Sequence, residues 1–201
     1  MDELINFLFE AQILSRLQKS GIEYLRGPVS DTVASHSFLT VLTGWILAFS
    51  EKADESKVIK LCLIHDIVES RIKDQNIMNL IYLKKIDEKK VFKEIFEELP
   101  ASLKKEFNAL IAEFLAGKTK EARISKDASK LAWMIIIKEC LVMGNKQAKK
   151  WLHFSLAQLK TKSGKQLGKK LIKAKIDDWW LNVLQKKFGI SDIDWKKLLG
   201  E

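Results

Sequence analysis

The chain has 201 residues, 47% apolar and 30% charged, enough to bury one core and too apolar for a disordered chain. Its longest apolar stretches are Leu131–Ile137 and the neighbourhood of Phe38–Phe49, the second interrupted by Thr40, Thr43 and Gly44. Neither reads as the roughly 18 residues of a membrane span, and the start MDELINFLFEAQ lacks the basic region of a signal peptide, so the expected location is the cytoplasm. The net charge is +9, and nine lysines lie between Lys149 and Lys175, a face that attracts nucleic acid or simply stays solvated. No aromatic is interleaved with Lys160–Lys175, which argues against a single-strand stacking surface.

Apolar residues recur at helical spacing and only two prolines occur, so the expected class is all-α, one domain of seven or eight helices. A first helix covers about Asp2–Leu17. After a polar link holding Gly21, Gly27 and Pro28, Asp31–Thr32 offer N-cap oxygens to a second helix ending near Glu51. A third runs from Asp54 to Ile72. Residues 73–86 read as a loop with a short apolar turn at Ile77–Tyr82. Further helices are expected over Glu88–Leu99, from Pro100 to Ala116, and from Thr119 to Met143. The stretch Leu131–Ile137 is apolar all round, which makes that last helix central. Lys146–Lys160, a long helix Lys165–Phe188 and a turn near Ile193–Leu199 close the chain. Cys62 and Cys140 sit in apolar helical runs without a CxxC partner and read as buried free thiols.

Three histidines occur. His153 reads as a packing or surface residue. His36, early in the second helix, and His65, followed by Asp66 in the middle of the third, differ because an apolar helix normally excludes adjacent imidazole and carboxylate. These groups are also ligands for divalent metals. Two readings stay open from the residues alone: a metal site at His36, His65 and Asp66, or a buried His–Asp pair without metal. Glu69, three and four residues on, shares their helix face.

The order His … His-Asp on successive helices resembles the HD superfamily of metal-dependent phosphohydrolases, and within it the 5′-deoxynucleotidase branch. LRGPVSDTVASHSF, LCLIHDIVES with Asp74, and AGKTKEARISKDASKL resemble three family segments in order, over roughly Leu14–Leu152. The resemblance implies an HD-type helical bundle with a C-terminal extension over 160–201. It makes His36, His65 and Asp66 ligands of a divalent ion (Mn, Co, Mg, Zn, Ni or Fe). Glu69 would act as general acid/base or hold the attacking water, and Asp74 would stand near the nucleophile. Arg26 and Lys19 would pair with the phosphate of a small substrate, a nucleoside 5′-monophosphate in the nearest branch. Relatives are commonly dimers, so a homodimer is implied, with the Trp151, Trp179, Trp180 and Trp195 region as core or interface.

Two departures stand out. The family's last metal ligand, an Asp, falls on Ser129. Asp127, two residues away, is a candidate substitute, although helical geometry turns it about 200° elsewhere, towards a solvated pairing with Arg123 and Lys130. The family's Arg-Trp segment reads Lys19-Ser20-Gly21, without the Trp. The implied function is a metal-dependent phosphohydrolase with an altered site. The alternative is a catalytically reduced protein that binds ligands or partners.

Overall fold

The computed structural model describes residues 1–25 and 31–189. Arg26, Trp195 and the turn expected near Ile193–Leu199 lie outside the described residues. Among these residues every regular element is helical, and a lone antiparallel bridge pairs Gln18 with Thr32. Twelve α-helical segments are present rather than seven or eight, because two long helices expected from the pattern are broken and two short segments add to the count.

The helix α1 (Asp2–Gln12) continues as a 3-10 turn at Ile13–Ser15, and α2 (Ile22–Leu25) is a single turn in the polar link. The next, α3 (Val33–Glu51), starts where a capping box closes. Thr32 accepts from the Ser35 N–H at 3.1 Å, and the Ser35 hydroxyl accepts from the Thr32 N–H at 2.8 Å. By length and composition α3 is apolar enough to cross a membrane, contrary to the sequence estimate. It packs instead against two other core helices, burying His36, Thr40, Thr43, Gly44, Leu47 and Ala48, while Phe38, Trp45, Ile46 and Phe49 stay exposed. Gly44 permits that approach: a Cβ there would lie 2.6 Å from Cys62 Sγ.

The expected helix Asp54–Ile72 is interrupted. The first part, α4 (Glu55–Ile64), is capped by Asp54, and α5 (Glu69–Ile72) resumes after a tight turn over residues 65–68. His65 Nδ1 lies 2.8 Å from the Cys62 carbonyl, the acceptor a regular helix reserves for the Asp66 N–H. The following bonds shorten to the three-residue type, Ile67 N–H to the Ile64 carbonyl and Glu69 N–H to the Asp66 carbonyl. Helix α6 (Ile77–Tyr82) stands where a turn was expected, started by an Asn76–Asn79 capping box.

Helices α7 (Glu88–Ile95) and α8 (Ala101–Ala116) bury Phe92, Ile95, Leu110 and Ile111 with Phe96 against α1. Helix α9 (Lys120–Val142) is the central rod, with Leu131, Ala132, Met134 and Ile137 fully enclosed or nearly so, as the apolar run required. Each fully buried Leu or Phe contributes about 1.5–3 kcal/mol. Helices α10 (Ala148–Gln158) and α11 (Lys162–Lys173) pack on α9, and α12 (Asp178–Phe188) follows. The expected Lys165–Phe188 helix is thus two, separated after Lys173, where Lys138 donates to the Ile172 carbonyl at 2.8 Å. Cys62 and Cys140 are free and buried, and burial pushes the Cys62 thiol up to about 12.

Candidate metal centre

The start of α3, the end of α4 and the middle of α9 converge at the seam between the two apolar clusters of the core. His36 lies one turn into α3, and its buried ring faces His65 at 6.0 Å between centroids. His36 Nε2 is 3.2 Å from Ser129 Oγ, 3.4 Å from Thr40 Oγ1 and 3.8 Å from Asp66 Oδ2. Burial holds this imidazole at about 3, so it is neutral and keeps a lone pair for a Lewis acid.

His65 sits at the break between α4 and α5. With Nδ1–H donating to the Cys62 carbonyl, Nε2 carries the lone pair. That atom is buried, lacks a hydrogen-bond partner among the described residues, and lies 3.1 Å from Asp66 Oδ1. A lone pair and a carboxylate oxygen facing each other at that distance repel unless a cation or proton lies between them. One ligand atom from each of His36, His65 and Asp66 lies within 4.8 Å of the others. Atoms sharing an ion stand at most about 4.2 Å apart, so small side-chain rotations close the set. The donor chemistry, two imidazoles and a carboxylate, fits a divalent ion.

Around this group lies a carboxylate cluster held by one cation. Lys19 Nζ is 3.4 Å from Asp66 Oδ2, 3.0 Å from Glu69 Oε1 and 2.5 Å from Asp74 Oδ1. The lysine is placed by the backbone: the Lys19 N–H donates to the Asp31 carbonyl, and the Val33 N–H to the Leu17 carbonyl, at 2.8 Å each. Asp74 also accepts from the Ser20 N–H and hydroxyl, both at 2.6 Å. Burial alone would raise Asp74, but Lys19 and Ser20 hold it below the usual carboxylate range. Burial likewise opposes ionisation of Asp66, yet the Lys19 ammonium 3.4 Å away helps hold it below the usual carboxylate range. Glu69 goes the other way: burial first, then the Asp66 charge, lift it past neutrality, so it is a neutral acid at pH 7. Lys73, which delivers Asp74, has φ +60° and ψ 167°.

Lys19, Glu69, Asp74 and Ser129 are therefore all brought to the His–His–Asp group. Asp127 is not. It is fully buried on the side of α9 facing α11, accepting from the Lys160 N–H at 2.9 Å, the Thr161 N–H at 2.7 Å and the Thr161 hydroxyl at 2.8 Å. Neither the substitute ligand nor the solvated ion pair is realised, because the Lys160 and Thr161 groups leading into α11 claim both oxygens. His153 is exposed and bonds only the Lys149 carbonyl, at 2.7 Å.

A cleft of about 240 Å³ opens beside the cluster. Two of its lining residues, Trp133 and Trp151, were not singled out as site residues in the sequence. Trp133 lies four residues after Ser129, and that spacing alone puts it on the same face of α9. A larger groove of about 780 Å³ between α6, the segment after it and Leu115 carries no histidine.

Several solved structures share this fold. A conserved hypothetical protein of Pyrococcus furiosus matches with a TM-score of 0.68 and 21% identity, over 85% of this chain and 99% of that one. A protein of Pyrococcus horikoshii OT3 gives 0.69 and 21%, over 85% and 99%. A protein of Magnetospirillum magnetotacticum MS-1, described as a predicted metal-dependent phosphohydrolase, gives 0.67 and 21%, over 86% and 90%. At these identities the likeness is one of fold. No curated protein sequence matches the chain. The match to a family runs over residues 21–175, from the link before α3 through α11, and takes in every residue of the His–His–Asp group. By that match the chain belongs to the HD domain family.

Proposed function

We propose that this protein is a divalent-metal-dependent phosphohydrolase acting on a small phosphomonoester such as a nucleoside 5′-monophosphate. One observation carries the reading: the partnerless His65 Nε2 stands 3.1 Å from the Asp66 carboxylate, beside a neutral His36. That arrangement calls for a cation or a proton between them, and the two imidazoles beside a carboxylate suit the cation. His36, His65 and Asp66 would hold the ion, which when bound polarises a phosphoryl oxygen and lowers the pKa of a water. The chain's own groups divide the remaining work. Glu69, neutral and buried, has a proton to give to the leaving oxygen, and Asp74, ionised and fixed by Ser20 and Lys19, can receive one from water. Lys19 offsets the charges of Asp66 and Asp74 and donates a hydrogen bond to the neutral Glu69. The name carried by the Magnetospirillum protein and the resemblance to the deoxynucleotidase branch agree with this reading.

A second reading, a ligand-binding protein of reduced activity, is favoured by Ser129, which puts a neutral hydroxyl where relatives carry a carboxylate. Metal analysis of the purified protein and phosphate release from nucleoside monophosphates with Mn²⁺, Co²⁺ or Mg²⁺ decide between them. The phosphohydrolase reading expects one equivalent of metal, turnover, and loss of both in His65→Ala. No metal and no turnover leave the second.

A further inference from the structure

The cleft beside the cluster is lined by two chemically different groups of residues. His36, Asp74 and Ser129 come from the cluster, and beside them stand Lys130 and Trp133 from α9 with Trp151 from α10. At about 240 Å³ it lies just below the usual range of small-molecule sites, about 300–1,000 Å³, and suits a compact ligand rather than a polymer.

The cations at this cleft are not equivalent. Lys19 is committed to Asp66, Glu69 and Asp74. Lys130, adjacent to Ser129 and more than half buried, has no hydrogen bond or ion pair among the described residues. Burial disfavours its charged form, Lys126 and Lys160 add repulsion, and Asp127, which favours the charge, keeps both oxygens on the start of α11. A half-buried ammonium whose neighbouring carboxylate is bonded elsewhere is stabilised by an anion entering beside it.

The indoles repeat the pattern. Trp45 donates to Glu55 and Trp180 to Asp177, whereas among the described residues neither Trp133 nor Trp151 has an acceptor for its N–H. Both rings are half-buried, apolar on one side against the core and open to the cleft. Trp133 is seated by Gly21, where a Cβ would come within 2.7 Å of the ring. Flat apolar walls with free N–H groups suit a planar ring bearing hydrogen-bond acceptors.

We propose that Lys130, Trp133 and Trp151 form the substrate-recognition wall, with Lys130 pairing with the phosphoryl group beside the His36–His65–Asp66 cluster and the two indoles holding a flat ring on the other side of the ester. This rests on the phosphomonoester reading above. It moves the phosphate contact from Lys19 to Lys130 and makes the wall the source of preference for aromatic over purely sugar phosphates.

Calorimetric binding to EDTA-treated full-length protein tests the wall without turnover, using adenosine 5′-monophosphate, adenosine and ribose 5-phosphate as probes. The monophosphate should bind at least tenfold more tightly than either fragment. Lys130→Met should weaken the monophosphate and ribose 5-phosphate about tenfold or more, and leave adenosine within twofold. Trp133→Leu and Trp151→Leu should weaken the monophosphate and adenosine about tenfold, and leave ribose 5-phosphate unchanged. Trp133→Phe, which keeps a flat ring, should retain affinity within about threefold, and guards against a loss due to misfolding. The proposal is overturned if Lys130→Met has no effect, if ribose 5-phosphate binds as tightly as the monophosphate, or if no probe binds at millimolar concentration. Binding that follows this pattern without phosphate release supports the wall and removes the enzyme. Turnover with Mn²⁺ that is indifferent to these variants does the reverse.

Discussion

Replacing Ser129 by Asp restores a carboxylate at a position whose hydroxyl lies 3.2 Å from His36 Nε2. A charge pair about 4 Å apart at an effective dielectric of about 20 is worth about 4 kcal/mol, or about 8 kcal/mol with a dication. Repulsion from Asp66 removes about 3–4 kcal/mol of this, and desolvation of the new carboxylate about 2 kcal/mol. The net gain is about 2–3 kcal/mol, or about 30- to 150-fold in affinity. Titration calorimetry with Mn²⁺ on wild type and Ser129→Asp measures it, with Ser129→Ala as a control near wild type. In EDTA the sign reverses: the added charge beside Asp66 should lower the melting temperature. An unchanged Mn²⁺ affinity in a variant with native circular dichroism refutes the reasoning, because Ser129 would then not face the ion.

Three further outcomes follow from the same geometry. Lys19→Met removes the cation from the ionised Asp66 and Asp74, both of low exposure, and should destabilise the metal-free protein by about 3 kcal/mol, measured by urea unfolding with EDTA, with part of the loss recovered in excess Mn²⁺. Asp127→Ala leaves the Lys160 and Thr161 N–H groups without their acceptor and should cost about 3–5 kcal/mol, roughly 10 °C in melting temperature, with Mn²⁺ affinity unchanged. A loss of metal without a loss of stability would return Asp127 to the metal site. Gly44→Ala forces a methyl against Cys62 and Val58, where α3 meets α4, and should cost about 1–3 kcal/mol by thermal melting.

Local pattern carried the sequence reading as far as it went. His36 and His65–Asp66 were legible because polar groups interrupt an apolar helical period, and the α3 and α9 starts because Thr32 and Thr119 are N-caps. The Asn76–Asn79 box that starts α6 was legible in the same way, yet the short segment looked like a loop. The losses are all contacts between distant segments. Asp127 has neighbours of opposite charge on its own helix, and only the packing of α11, 33 residues on, shows its partners. The break after Lys173 has no proline or glycine to mark it, and its carbonyl is taken by Lys138 on α9. Lys19 is 47 residues from Asp66, so its neutralisation by acids rather than phosphate could not be read from spacing.

Lys73 precedes Asp74 with a positive φ and an extended ψ, a conformation that belongs to glycine. A lysine here carries a side chain where the backbone resists one. Holding it costs about 1–3 kcal/mol out of a total stability of about 5–15 kcal/mol. Lys73→Gly should recover about 1 kcal/mol after the added entropy of the unfolded chain, seen as a rise of a few degrees in melting temperature. A protein that carries such strain beside its site has less room for other destabilising changes. Glycine at this one position would widen the range of mutations it tolerates, which makes Lys73→Gly the natural background for evolving new specificity in the cleft.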